Sequence, residues 1–145
     1  MAEINEITVF KDGDGNPSYG LVDDQNRVVV SLGVGGTGKY IQGFSGDITS
    51  GTDNPVVSYT VPTGKIFHLT KWESDGHAHA TFKVLEGANI IAQQRNSVAQ
   101  PTVGGPIGDG IDFPAGTVLK ITVDHHETGK TSNFSGTLYG EERNA

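Results

Sequence analysis

The strongest constraint on the fold is a turn-and-strand pattern that occurs twice, in Val61–Trp72 (VPTGKIFHLTKW) and again in Phe113–Asp124 (FPAGTVLKITVD). Each copy begins with an apolar residue, a proline, any residue and a glycine, and continues as a run of strand-forming residues. Proline fixes φ and glycine accepts a positive φ, so each copy predicts a tight turn leading into a β-strand. An internal duplication would produce this pattern, and so would one turn type used twice in a sandwich.

The composition extends this prediction to the whole chain. The 145 residues suffice for one domain with a sizeable core, and they include no cysteine, which excludes disulfides, thiolate metal sites and a catalytic thiol. Glycine is abundant, at 21 residues, and no segment shows a 3.6-residue period. We therefore predict an all-β protein, an antiparallel β-sandwich or jelly-roll-like domain of about seven to nine strands, with an extended N-terminal arm.

The charge distribution argues against two classes of partner. The formal net charge is −7 and the ten Lys and Arg residues are scattered, so there is no basic stripe to neutralise nucleic-acid phosphates. The first ten residues contain neither the basic segment nor the apolar core of a signal peptide. The longest apolar runs are too short to span a bilayer. We expect a protein that binds neither nucleic acid nor a membrane.

The chain is predicted to have two parts that form one folded unit. Residues 1–38 comprise an extended arm (Ala2–Phe10), a hairpin and a glycine-rich hinge, and residues 39–145 form the β-sandwich domain. The hairpin pairs Ser18–Val22 with Arg27–Leu32 around a polar turn.

Two short motifs resemble ligand sites without meeting their requirements. Asp12–Pro17 (DGDGNP) begins like a calcium loop, but Pro17 occupies the position where the sharp turn needs glycine. Gly33–Tyr40 has the glycine and lysine spacing of a phosphate-binding loop, but Tyr40 replaces the Ser or Thr that would hold magnesium, and no helical pattern follows. A plain turn and a flexible connector explain these residues better.

Alternation along the strands predicts which side chains face the core. In the first copy of the repeated pattern, Phe67 and Leu69 share one face. The opposite face of that strand carries His68, Thr70 and Trp72. In the next strand and in the second copy, the predicted inward residues are Ala78, Ala80, Phe82, Val84, Leu119, Ile121 and Val123.

Three C-terminal segments receive distinct interpretations. Ser97–Gly110 contains two prolines and four glycines and is predicted to be a long loop, which is uncommon in a compact domain unless the loop contacts something. Asn133–Gly140 is the closing strand, with Phe134 and Leu138 inward. Glu141–Ala145 is interpreted as a charged tail.

The histidines are the candidate metal ligands. His77 and His79 share one strand face, and the candidates for further ligands are Asp75, Asp124, His125 and His126. Cupins bind metal in a jelly roll through a His-x-His motif, a carboxylate and a later histidine. In this chain the carboxylate position holds Lys83 or Val84, and the later histidine position holds Leu119. We therefore predict no metal site and no cofactor, with the histidines facing solvent or an interface.

Enzymatic signatures are weak throughout. Gly43–Gly46 contains only part of a nucleophile elbow and lacks its strand-to-helix setting. A sugar-stacking platform of exposed aromatic rings is one interpretation of Trp72, Tyr40, Tyr59 and Tyr139, and core or interface packing is the other. We predict no catalytic residues.

Two long stretches carry a family resemblance. Ser58–Gly87 and Phe113–Glu142, which contains the closing strand Gly136-Thr-Leu-Tyr-Gly140, resemble small β-sandwich virion structural proteins of tailed bacteriophages, as does the segment NPSYGLVDDQNRVVVSLG. The resemblance implies a non-enzymatic building block: a capsid decoration (cement) protein, or a neck, tail or fibre component. Decoration proteins of this kind are often trimers seated on threefold or quasi-threefold capsid sites.

The resulting hypothesis is a capsid decoration protein that binds and stabilises the major capsid protein shell as a homo-oligomer, with a homotrimer expected. It implies synthesis in the host cytoplasm and a place on the capsid surface, with Ala2–Phe10 and Ser97–Gly110 as contact segments. The alternative is a tail- or fibre-associated module that binds carbohydrate or a receptor. A third, a cupin-like metalloprotein, needs a bound metal.

Overall fold

The structure is a computed structural model that describes three N-terminal strands, at residues 7–11, 17–22 and 28–29, and residues 36–145. The chain divides into two units, Met1–Val34 and Gly35–Ala145. None of the described residues belongs to a helix long and apolar enough to cross a membrane.

The N-terminal unit contains a three-stranded antiparallel sheet. Its strands are β1 (Ile7–Lys11), β2 (Pro17–Val22) and β3 (Val28–Val29), in that order across the sheet. The predicted hairpin is confirmed, since Leu21 pairs with Val29. The last four residues of the predicted arm lie in β1, which pairs with β2, and residues 2–6 lie outside the described residues. Most of the calcium-loop lookalike lies outside them as well.

The second unit is a sandwich of two four-stranded antiparallel sheets, which confirms the predicted fold class. Its strands are β4 (Gly36–Phe44), β5 (Gly51–Thr60), β6 (Lys65–Gly76), β7 (Ala80–Glu86), β8 (Asn89–Arg95), β9 (Thr102–Pro114), β10 (Val118–His125) and β11 (Phe134–Asn144). The sheet orders are β5-β10-β7-β8 and β4-β11-β6-β9. The last three residues of the predicted glycine-rich hinge, 36–38, therefore belong to the first strand of the sandwich, and the rest of the hinge lies outside the described residues.

The pairing of these eight strands is nested. The first strand pairs with the last (β4 with β11), the second with the seventh, the third with the sixth, and the two central strands, β7 and β8, with each other. A doubled ribbon of this kind, rolled into two facing sheets, is the jelly-roll arrangement. The sandwich is therefore a jelly roll.

The repeated pattern forms two matching turns at one end of the sandwich. Gly64 and Gly116 both have positive φ, at 77° and 86°, and the strands that follow, β6 and β10, belong to different sheets. The turns bond to each other, since Val61 N–H donates to the Thr117 carbonyl and Gly116 N–H donates to the Val61 carbonyl, both at 2.9 Å. The pattern therefore ties the two sheets together.

The core lies between the two sheets and includes the side chains that strand alternation predicted to face inward. Phe67 and Leu69 from one copy of the pattern and Leu119 and Ile121 from the other are all fully buried. The remaining members of the core are Val56, Val57, Val61, Trp72, Ala78, Ala80, Phe82, Val84, Val103, Phe113, Val123, Phe134 and Leu138. Burial of this continuous apolar layer is the main stabilising contribution to the fold.

The predicted orientation of Trp72 is wrong, and a β-bulge is the reason. Leu69 pairs with Gly140 and Lys71 pairs with Tyr139, so Thr70 has no partner on β11. The extra residue reverses the alternation of β6, because two residues then oppose one. Trp72 consequently enters the core, where it is only 1% exposed, while His68 and Thr70 face outward.

Two C-terminal predictions are also wrong. The segment Thr102–Gly110 is not a loop but most of β9, which pairs with β6. Strand β9 lies at the sheet edge, where Pro106 is tolerated, and its pairing with β6 is interrupted at Ile107–Gly110. The charged segment Glu141–Asn144 is not a tail, because it continues β11 and pairs with both β4 and β6. Only residues 97–101 of the predicted long loop lie outside the strands.

The edge of β9 yields a stability prediction. A Cβ at Gly104 would lie 2.2 Å from the Trp72 carbonyl oxygen, whereas a Cβ at Gly105 would meet no heavy atom within 4 Å. Both glycines have positive φ, so alanine is strained at either position. We expect Gly104→Ala to lower the free energy of unfolding by about 1–3 kcal/mol more than Gly105→Ala, because only Gly104→Ala adds overpacking. Denaturant unfolding of the two variants measures the difference, and equal losses would contradict the close approach.

Candidate interaction surface

The outer face of the sheet β4-β11-β6-β9 carries a compact aromatic patch, formed by Tyr40, Lys71, Glu73 and Tyr139. The rings of Tyr40 and Tyr139 meet edge to face with centroids 5.2 Å apart. The Lys71 ammonium lies 5.0 Å from the Tyr139 ring centroid and 3.1 Å from a Glu73 carboxylate oxygen. Tyr139 Oη donates to Glu73 Oε2 at 2.6 Å. Ionic partners therefore hold the Tyr139 ring, and the Tyr40 ring packs against it, as suits an interface.

Glu73 and Tyr139 hold each other in one pair of charge states near neutral pH. The hydrogen bond from Tyr139, aided by Lys71, lowers the pKa of the Glu73 carboxyl below its ordinary value. The same bond to Glu73 raises the pKa of the Tyr139 hydroxyl. Glu73 therefore stays ionised and Tyr139 stays protonated across the physiological range.

Strand β4 exposes two aromatic side chains on the outer face. Tyr40 is 71% exposed and Phe44 is 70% exposed, while Gln42 lies between them on the same face. Phe44 forms one wall of a groove that Asp75, His77 and other residues also line. Large exposed aromatic side chains on one strand are typical of contact surfaces.

A hydrogen-bonded turn between β8 and β9 presents a single exposed apolar side chain. Val98 is 94% exposed, in the loop between β8 and β9. The loop is anchored by the buried Asn96, whose amide nitrogen donates to the Ala78 carbonyl at 2.9 Å and whose amide oxygen accepts from Ala80 N–H at 2.8 Å. Reciprocal backbone bonds between Ser97 and Gln100, at 3.0 and 3.1 Å, close the turn. This segment, named here the Val98 loop (residues 96–101), is preorganised for contact.

The histidines come together in part. His77 and His79 are exposed, and the His79 ring lies 5.5 Å from that of His126, whose Nε2 is 2.7 Å from Thr81 Oγ1. His125 is buried, and both of its ring nitrogens have hydrogen-bond partners. Its Nδ1 accepts from Glu127 N–H at 3.0 Å, so its Nε2 donates to the Lys130 carbonyl at 2.7 Å. These bonds fix His125 as a neutral tautomer.

The carboxylates that were candidate ligands point elsewhere. Asp124 forms an ion pair with Lys83 at 2.8 Å and accepts from Asp53 N–H at 2.7 Å, while Asp75 accepts a hydrogen bond from Ser135. The bond to Asp124 also raises the pKa of the Lys83 ammonium, although desolvation opposes it. Within the described residues no group of three or more His, Asp or Glu side chains is arranged to hold a metal ion.

Of the two interpretations of the aromatic residues, core packing holds for Trp72. Trp72 is buried, and Tyr59 packs edge to face on Phe67 with ring centroids 5.0 Å apart. Of the four proposed rings, Tyr40 and Tyr139 form the outer aromatic patch.

Sequence reasoning missed the polar contact that links the two sheets. Glu142 Oε1 accepts from Lys39 Nζ and from Tyr59 Oη, each at 2.5 Å, and the Lys39 ammonium lies 5.1 Å from the Tyr59 ring centroid. Lys39 and Glu142 belong to one sheet and Tyr59 to the other. A usable signal existed, because Glu142 continues the alternation of inward positions that begins at Phe134.

Comparisons with known proteins place the fold. No protein-family model matches the sequence, and no curated protein matches it either. The structure is similar to a chain of the cyanophage Pam1 capsid asymmetric unit, with a TM-score of 0.53 and 18% identity, covering 81% of this chain and 94% of that chain. Weaker similarities join it to the acidic stable capsid structure of Helicobacter pylori bacteriophage KHP30 (TM-score 0.43, 10% identity, 72% of this chain and 92% of that chain). The structure also has a weak similarity to the nucleoplasmin-like N-terminal domain of Drosophila FKBP39, with a TM-score of 0.40 and 14% identity, covering 79% of this chain and 96% of that chain.

The Pam1 similarity shows a shared fold across most of both chains. The other two TM-scores are too low to support an argument. Because a jelly roll also occurs in lectins and cupins, the fold alone does not assign a function.

Proposed function

We propose that this chain is a non-enzymatic bacteriophage virion protein, a capsid decoration (cement) protein that binds the major capsid protein and stabilises the shell as a homo-oligomer. The observation that carries the proposal is the similarity to a chain of the Pam1 capsid asymmetric unit. The alignment covers most of both chains, so the similar protein is a single small sandwich of about this size. A homotrimer on the capsid surface, made in the host cytoplasm, fits the family resemblance.

The surface supports this proposal. The aromatic patch and the Val98 loop are preorganised features that suit protein contact, with the Tyr139 ring held by ionic partners and an apolar side chain held on a closed turn. Shell binding then gains from avidity, since many copies bind a repeating lattice. The rival tail module would need an exposed sugar platform, and the burial of Trp72 removes its strongest member.

The test is binding to purified expanded capsids that lack this protein. We expect the full chain to sediment with such shells at saturable stoichiometry and to raise their melting temperature. Absence of binding to these shells would overturn the proposed function, and specific glycan binding in its place would favour the tail module.

The Val98 loop gives this assay a matched pair of variants. We expect Val98→Asp to weaken shell binding tenfold or more, because the most exposed apolar side chain of a predicted contact segment is replaced by a charge. Ile90→Asp is the control, since Ile90 is also exposed and apolar but lies on β8 in the opposite sheet. Equal affinities for the two variants would exclude the Val98 loop from the contact.

A further inference from the structure

Strand β4 is an edge strand of its sheet that none of the other described strands pairs with on its outer side. Within the described sandwich the four edge strands are β4, β5, β8 and β9. The pairing of β5 includes Pro55 and two register shifts, that of β8 has one shift, and β9 carries Pro106 and an irregular stretch. In contrast, β4 pairs with β11 at nine consecutive positions without a shift and contains no proline. Proteins usually block such a long regular edge, because its free backbone groups accept another strand.

The free backbone groups of this edge can be assigned. Ser45 N–H donates to the Phe134 carbonyl at 2.9 Å, so the residue after β4 points its backbone groups toward β11. Backbone direction alternates along an antiparallel strand, so Ile41 and Gly43 also bond to β11. The N–H and C=O groups of Tyr40, Gln42 and Phe44 therefore point away from β11, toward the open edge.

We propose that this edge binds β4 of a second copy of the chain, antiparallel and around a two-fold axis at Gln42. In this register Gln42 opposes Gln42 of the second copy, and Tyr40 opposes Phe44 of the second copy in both directions. These are hydrogen-bonded pairs, each exchanging two bonds, so the contact adds about six backbone hydrogen bonds. The two four-stranded sheets become one eight-stranded sheet.

The side chains select this register over its neighbours. Shifting the axis to Ile41 would place Tyr40 against Gln42 and Phe44 against Gly38, leaving both rings without an aromatic partner. The axis at Gln42 brings each exposed ring against another, and cross-strand aromatic pairs stabilise antiparallel strands. A two-fold pair also uses the same surface on both copies, as an isologous contact requires.

The charges permit this approach although the chain carries a net charge of −7. Lys39 is the charged side chain of β4, and its ammonium is held by Glu142 at 2.5 Å. In the proposed register Lys39 opposes Ser45 of the second copy, so no like charges meet across the new pair. The inference rests on the proposed function for its role in a shell, where a two-fold contact would join neighbouring copies, but the contact itself is testable without capsids.

The absence of cysteine makes a direct test available. Hydrogen-bonded antiparallel pairs have Cα atoms about 5.5 Å apart, within the range of a disulfide. In Gln42→Cys the introduced thiol is the chain's single thiol, so any disulfide must join two copies. We expect this variant, with oxidised glutathione, to form a covalent dimer at least tenfold faster than Ile90→Cys, whose thiol sits on the opposite sheet. Equal rates, or a Gln42→Cys chain that stays unlinked, would overturn the proposal.

Hydrogen exchange on the unmodified chain distinguishes a second copy from the other candidate partner of this edge, which is the chain's own N-terminal residues. We expect the amides of Tyr40, Gln42 and Phe44 to become more protected as protein concentration rises. Protection that is independent of concentration would assign the edge to the same chain and overturn the proposal. Because neither measurement uses shells, failure to bind capsids would overturn the proposed function and leave this contact standing.

Discussion

Replacing Trp72 with alanine is expected to lower the free energy of unfolding by about 3–5 kcal/mol, as for other fully buried large aromatic residues. The side chain is 1% exposed and lies in the core on β6, where its strand neighbours are Leu138 and Gly105. Its removal would leave a cavity that the surrounding strands cannot close, because their register is fixed on both sides. Urea unfolding followed by circular dichroism measures the loss without relying on the chain's single tryptophan.

The control for this prediction is Tyr40→Ala, which removes an aromatic side chain that is 71% exposed. We expect that variant to lose less than about 1 kcal/mol, since surface substitutions have small effects on stability. A stable Trp72→Ala chain that had lost binding to a glycan would instead restore the sugar-platform interpretation.

Replacing Glu142 with alanine is expected to lower the free energy of unfolding by about 2–3 kcal/mol. The carboxylate accepts from Lys39 and Tyr59, and hydrogen bonds to charged groups contribute about 1.5–3 kcal/mol each, less where solvent reaches them. Burial and the bond to Glu142 together raise the pKa of the Tyr59 hydroxyl, so this partner stays protonated and donating. Loss of Glu142 would leave a lysine and a partly buried hydroxyl without their acceptor.

The adjacent Glu141 supplies a control on the same strand. Its carboxylate pairs with Arg143 at 3.1 Å in a solvent-exposed position, so Glu141→Ala should change stability by no more than about 1 kcal/mol. Similar losses for the two variants would contradict the assignment of Glu142 as the link between the sheets.

The stabilisation by Glu142 should also depend on pH. Hydrogen bonds from Lys39 and Tyr59 lower the pKa of the Glu142 carboxyl. A carboxyl with a lowered folded-state pKa stabilises fully above its ordinary pKa, and the contribution disappears as the pH falls through the folded-state value. We therefore expect the stability gap between the natural chain and Glu142→Ala to be constant near neutral pH and to narrow in acid below about pH 4. Unfolding titrations across pH 2–7 test this, and a gap that widened in acid would have the wrong sign.

Strand alternation predicted the core well where the pairing is regular. Phe82 and Val84 on β7 face inward as expected, because β7 pairs with β10 without a register shift. It failed at Trp72, since a bulge at Thr70 is set by two neighbouring strands that lie far away in the sequence. A periodicity of two cannot reveal where one extra residue interrupts it.

The candidate surface was less accessible to sequence reasoning. The segment Glu141–Asn144 resembles a tail because its charges are visible locally while their partners are not: Lys39 lies 103 residues before Glu142. In the aromatic patch, Tyr40 likewise contacts Tyr139 because β4 and β11 are paired, although they are the first and the last strand of the sandwich in sequence order. The contact role predicted for Ser97–Gly110 stays a prediction, and the long loop expected there is wrong for most of its length, because Thr102–Gly110 belongs to β9.

The nested strand pairing has a consequence for how the chain folds. The innermost pair, β7 with β8, is a local hairpin, whereas the outermost pair, β4 with β11, joins residues about a hundred positions apart. Contacts this distant in sequence slow folding, because loop closure must precede any gain from pairing. Of the eight sandwich strands, β4 emerges first during synthesis and has to wait for β11, the last of them, before its ladder can form. A nascent chain therefore exposes both edges of β4 for most of its synthesis, which makes this strand the segment most in need of protection from premature association.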